Sequence, residues 1–206
     1  MDIESLLDQL KKLDYFKYVL EAELPTVLTK AQGELEKGLL SANFDVYSDR
    51  KILASRDWRM FGIDGESLAE GDILKLLEDL SYVLEREGVV ITEKSQEIGT
   101  GNGYTVMVNG KAYKIYEEED VSKDGMAWHK ALIGLMQIVN DLLEQSGSSA
   151  RVYATHGGND GAIYILTPDQ YNFMIQNNIN TADYSVKPND INEIIKSYPK
   201  TEASAS

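Results

Sequence analysis

An α+β fold, an antiparallel sheet built from hairpins with helices packed on it, is what the order of segments in this chain predicts. Three observations carry it. Residues 104–116 read as a β-hairpin around Asn109-Gly110. RVYAT at 151–155 and AIYIL at 162–166 read as a second pair of strands joined by a short loop. Helical periodicity fills the stretches before, between and after them, with no strand–helix–strand alternation. Strands joined by short turns pair antiparallel, so the helices must lie on the sheet rather than cross between parallel strands. The expected layout is one domain over 1–198, opening with a helical segment over 1–40, and a frayed tail, PKTEASAS, at 199–206.

Taken in order, Ile3, Leu6, Leu7, Leu10 and Leu13 recur at helical spacing and predict an amphipathic helix reaching Leu20. Pro25 separates it from a weaker helical stretch over 26–40. Residues 41–60 carry mixed signals compatible with two short strands. Ser67 and Glu70 have the spacing of a capping box. They head an apolar face of Leu68, Ile73, Leu76, Leu77, Leu80, Val83 and Leu84, which Gly88 closes. VVIT at 89–92 starts a strand. In the hairpin, Asn109-Gly110 accepts positive φ at both central positions. A two-residue loop sets Val108 opposite Lys111, Val106 opposite Tyr113 and Tyr104 opposite Ile115, which leaves one face apolar. Residues 128–144 are apolar round more than one stripe and predict a buried central helix. Thr167-Pro168-Asp169-Gln170 starts another helix with a cap, a first-turn proline and a returning glutamine. A last short helix is expected over 191–198.

Charge is unevenly spread over the 206 residues. The chain holds 34 acids and 20 bases, a net charge of −14. Residues 1–60 hold 11 acids and 9 bases, residues 61–125 hold 15 and 6, and residues 126–206 hold 8 and 5. The middle third therefore has most of the excess and implies an acidic face, which attracts basic partners and repels nucleic acid and anionic membranes. The only locally basic stretch, 50–59, is interrupted by Asp57, so phosphate-backbone binding is disfavoured. There is no cysteine, which excludes disulfides, thiolate metal sites and a cysteine nucleophile. The first residues are charged throughout, without the apolar core of a secretory leader, and no apolar run approaches the roughly 18 residues of a membrane span. The expectation is a cytoplasmic protein.

No cofactor or metal motif is intact. Gly99-Thr100-Gly101-Asn102-Gly103 leads into a strand and no lysine follows, unlike a phosphate loop. Asp120, Ser122 and Asp124 have the spacing of a calcium loop, but its twelfth position is Ala131 instead of glutamate. His129 and His156 are too far apart for zinc-ligand spacing. One loop does combine an imidazole, an amide and an acid: His156, Asn159 and Asp160, between two strands, form a possible ligand or catalytic site, although Gly-Gly-Asn-Asp-Gly is also ordinary turn chemistry. For partner binding the candidates are Glu117, Glu118, Glu119 and Asp120, with Asp64, Glu66 and Glu70 as a second patch. Trp58, flanked by charge, is the expected aromatic anchor.

Two stretches, WRMFGIDGESLAEGDILKLLEDL at 58–80 and SARVYATHGGNDGAIYILTPDQY at 149–171, are similar to segments of uncharacterised bacterial proteins of about this size. As a small, acidic, cysteine-free α+β chain, the protein also resembles in type the immunity proteins of bacterial toxin systems. That resemblance implies a non-enzymatic inhibitor that masks a basic surface of a protein partner, such as a toxin. The alternative is a small-ligand-binding protein or enzyme built on the His156–Asp160 loop. Oligomeric state is left open.

Overall fold

The structure, a computed structural model, describes residues 2–42, 44–47, 52–99, 103–122, 126–155, 160–181 and 187–197. It is an α+β fold with two antiparallel sheets. Helix α1 (Ile3–Lys12) is capped by Asp2, whose carboxylate accepts from Ser5 N–H at 2.8 Å. It stops well before Leu20, because Asp14 turns left-handed with φ 53°. The turns that follow bury Tyr15, Phe16 and Tyr18, which a continuous helix would have spread round its circumference. Helix α2 (Leu24–Leu35) contains Pro25 in its first turn, where the missing N–H costs nothing. Pro25 thus starts this helix instead of separating two.

Strands β1 (Phe44–Tyr47), β2 (Ile52–Ser55) and β3 (Met60–Asp64) come next. The stretch after them is not one capped helix. It runs as α3 (Gly65–Ser67), a π-helical turn (Leu68–Asp72), α4 (Ile73–Asp79) and α5 (Ser81–Arg86). The expected Ser67–Glu70 cap does not form. Asp64 is the cap, accepting from Ser67 N–H at 3.0 Å, and Gly71 breaks the run at φ 119°.

Strands β4 (Lys94–Gly99), β5 (Gly103–Val108) and β6 (Lys111–Tyr116) form the smaller sheet. The strand expected to start at Val89 begins only at Lys94. Asn109 takes up the intervening backbone with its side chain: Oδ1 accepts from Thr92 N–H and Nδ2 donates to Val90 C=O, each at 2.8 Å. The hairpin pairs Val108 with Lys111 and Val106 with Tyr113 as expected, but Tyr104 faces Tyr116, not Ile115. A bulge between Tyr104 and Thr105 shifts the register. Gly103 makes room for it. Its φ is 66°, and a Cβ there would lie 2.2 Å from the Tyr116 carbonyl oxygen.

Helices α6 (Glu118–Val121) and α7 (Met126–Gln145), strands β7 (Arg151–Ala154) and β8 (Asp160–Leu166), and helices α8 (Pro168–Gln176) and α9 (Ile191–Ser197) complete the chain. Thr167 and Gln170 form the expected capping box of α8. The tail at 199–206 lies outside the described residues. The larger sheet has the order β1-β2-β3-β8-β7. Both faces of β8 are buried, which explains its unbroken apolar run. Phe61, Ile163 and Ile165 face one core with Leu135, Ile138 and Val139 of α7. Met60, Tyr164 and Leu166 face a second core with Leu6 and Leu10 of α1 and Val27 and Ala31 of α2. Val106, Val108 and Tyr113 of the smaller sheet belong to the first core, so α7 lies between the two sheets.

Candidate functional site

The acidic candidates gather where β6 passes into α6. Glu117, Glu118 and Glu119 are exposed there, and the Glu117 carboxylate lies 2.9 Å from Lys114 Nζ. Asp120 does not belong with them. It is 4 % exposed, accepts from Glu117 N–H at 3.0 Å, and pairs with Lys130 Nζ at 2.5 Å. Its one-residue-longer reach into α6 places it on the inward side of a short helix, where its carboxylate fastens α6 to α7. The acidic run therefore presents three carboxylates outward and uses the fourth as a clamp.

The second patch, some 50 positions earlier in the chain, lies against the first. Tyr116 OH donates to the Ala69 carbonyl at 2.7 Å, which joins the residue before Glu117 to the residue before Glu70; Glu66, Glu70 and Glu117 are exposed. Burial, and after it the charge of Glu70, raises the Tyr116 hydroxyl above its ordinary pKa. The hydroxyl therefore stays a neutral donor. Tyr104 packs edge-on against the same ring at 5.6 Å, and its own hydroxyl donates to Gln96. Glu66, Glu70, Glu117, Glu118 and Glu119 are thus exposed on two segments that are joined at a buried tyrosine pair. Asp64 is exposed at the end of β3 and is partly occupied as the α3 cap.

Trp58 precedes β3, whereas Asp64 ends it, and it is half-buried at φ 59° with its ring 4.6 Å from Tyr82. The Arg86 guanidinium covers the other ring of that pair, 3.6 Å from the Tyr82 centroid. Trp128, in the first turn of α7, is 37 % exposed, and Val121 of the adjoining α6 is 63 % exposed. Sequence reasoning set Trp128 second to Trp58 as an anchor and passed over Val121. Trp128 heads an otherwise apolar helix and reads as core until the packing of α6 on α7 is known.

Of the possible ligand loop, His156 and Asn159 lie outside the described residues. Asp160 is exposed, begins β8 and pairs across the strands with Asp64. The structure thus brings the acid of that loop to the acid of the second patch.

Sequence reasoning also missed the most buried polar cluster. Arg59 is fully buried, with Nε 2.6 Å from Tyr15 C=O and its two terminal nitrogens 2.9 Å from the carbonyls of Ile165 and Asp14. Asp57, 4 % exposed, accepts from the hydroxyls of Ser41 and Ser55 and from Arg59 N–H. Tyr15 OH lies 2.7 Å from Ser41 Oγ, and burial followed by the Asp57 charge pushes it well up in pKa. Every one of these polar groups is answered from within the fold. The two serine hydroxyls donate to the Asp57 carboxylate, and the Arg59 guanidinium joins the N-terminal turns to β8.

Among the described residues, no group of three His, Cys, Asp or Glu is arranged to hold a metal ion, and no helix is long and apolar enough to cross a membrane. No protein family, curated protein or solved structure matches the chain.

Proposed function

We propose that this chain is a non-enzymatic acidic binding protein, an inhibitor of the immunity-protein kind that works in the cytoplasm and covers a basic surface of a protein partner such as a bacterial toxin. The observation that carries the reading is the meeting of two acidic segments across the Tyr116–Ala69 hydrogen bond. Five exposed carboxylates on rigid elements match a partner whose Lys and Arg serve an anionic substrate of its own. Such complementarity speeds encounter and rejects wrong partners more than it deepens affinity. Nucleic acid and anionic membranes are repelled by the same face.

The test is affinity capture from the source cell, identification of the partner, and association kinetics against salt. The Debye length falls from roughly 30 Å at 0.01 M to about 8 Å at 0.15 M, so steered association slows steeply over that range. Replacing Glu66, Glu70, Glu118 and Glu119 together by Gln should slow association about tenfold at low salt and leave dissociation much less changed. A partner indifferent to both salt and the fourfold change would refute the reading.

A further inference from the structure

The same middle third of the chain contains a groove whose lining includes none of the acidic residues of 64–70 and 117–120. Asn109 draws the backbone of 90–93 out of the sheet ladder, so this segment stands off from α4 and α5. A cavity of about 310 Å³ opens between them, at the lower end of the range for ligand sites. Its floor is apolar: Leu77, Leu84, Val89 and Ile91. Its rim carries Glu78, Glu85, Glu93 and one cation, Lys94. Lys94 is committed to Glu78 at 2.8 Å. Among the described residues no cation pairs with Glu85 or Glu93. Beside the groove Val90 is 70 % exposed.

Resting on the function proposed above, we infer that this groove receives one segment of the basic partner, an extended stretch in which an apolar side chain is flanked by Lys or Arg. The floor takes the apolar side chain and the aliphatic stems of its neighbours, and the ammonium or guanidinium heads reach Glu85 and Glu93. A wholly apolar occupant would strip water from two carboxylates that no described cation pairs, without compensating them. A second copy of the chain, itself at −14, would bring more negative charge to a negative rim. A cationic segment with an apolar centre answers both the floor and the rim.

The probe is a synthetic eight-residue peptide of alternating Lys and Leu, with a Lys–Ser peptide of equal charge as control. Binding is followed at low salt by methyl and amide NMR shifts of the full chain. The expected result is shifts at the Leu84 and Ile91 methyls, and at least about tenfold tighter binding of the Lys–Leu peptide. Ser81→Phe, which fills the groove without changing charge, should abolish that preference. The pair Glu85→Lys and Glu93→Lys, both at exposed positions, should weaken binding at least about tenfold. Equal binding of the two peptides, with shifts gathered at the amides of Glu118 and Glu119, would overturn the groove assignment and leave the acidic-inhibitor reading standing. Lys–Leu binding that survives Ser81→Phe would overturn the assignment as well. So would a dimer, detected by sedimentation, that Ser81→Phe dissociates. No binding of either peptide at low salt would overturn both the groove and the acidic face.

Discussion

Arg59→Met separates two opposed effects at the most buried charge among the described residues. The guanidinium bonds three backbone carbonyls and lies over the rings of Tyr18 at 4.2 Å and Tyr15 at 5.0 Å. Methionine keeps much of the volume and removes every donor. The Asp14 carbonyl is part-buried and regains water. The carbonyls of Tyr15 and Ile165 are buried and do not, and each orphaned acceptor costs about 1–3 kcal/mol. The sum is about 2–6 kcal/mol, against a total stability of roughly 5–15 kcal/mol. Opposing it is the relief of no longer burying a cation. The bonds should win, because three carbonyls and two aromatic faces already replace the lost hydration. Arg59→Lys retains the charge with fewer geometrically fixed donors and should lose about half as much. Urea unfolding followed by tryptophan fluorescence measures both variants, and melting temperature should drop about 5–20 °C for Arg59→Met. A neutral or stabilised Arg59→Met would mean that guanidinium desolvation outweighs its bonds, and the reasoning would fail.

Other sites yield outcomes of equal definition. Gly103→Ala meets the Tyr116 carbonyl and Glu117 backbone with a φ of 66°, so it should cost at least about 2 kcal/mol in urea unfolding and disturb the amide shifts of the β5–β6 bulge. Asp120→Ala strands Lys130 and removes the α6 clamp, and should cost about 1–3 kcal/mol, whereas Glu119→Gln, one residue earlier and exposed, should stay within about 0.5 kcal/mol. Glu87 accepts from Tyr18 OH and Ser148 Oγ and pairs with Lys17 at 2.5 Å. Burial raises its pKa, but these partners outweigh burial and leave it below the ordinary 4.5. A lowered folded-state pKa means stability that is complete above pH 4.5 and lost as pH falls through the folded value. Glu87→Gln should therefore be less stable than the parent by about 1–3 kcal/mol at pH 7, with the difference shrinking below pH 4.5 in parallel unfolding curves.

Features carried by neighbouring residues were legible in the sequence. Asn109-Gly110 sets the two-residue turn because both positions accept positive φ, and Thr167 with Gln170 caps α8 because both partners sit within one turn. The apolar run of β8 and the all-round apolar surface of α7 announced burial on every side. The charge imbalance between thirds of the chain was equally open to counting, and so was the α+β class.

What tertiary structure alone decided depends on contacts between distant residues. Asp64 rather than Ser67 begins the helical run after β3, since β3 must end in register with β8 before the chain can turn. Residues 90–93 leave the ladder because an asparagine on the far hairpin claims their backbone groups. Asp120 is a clamp because Lys130 on α7 lies within 2.5 Å, while its three acidic neighbours in sequence remain exposed. Arg59 is only one of the charges beside Trp58 in RDWRMFG, yet three carbonyls from the N-terminal turns and β8 hold it at zero exposure. The two acidic segments are joined only through Tyr116 and Ala69, 47 positions apart. Local chemistry can be read along a chain because its partners are a turn away. Which carboxylate is bare and which is bonded depends on side chains that only folding brings within hydrogen-bond reach.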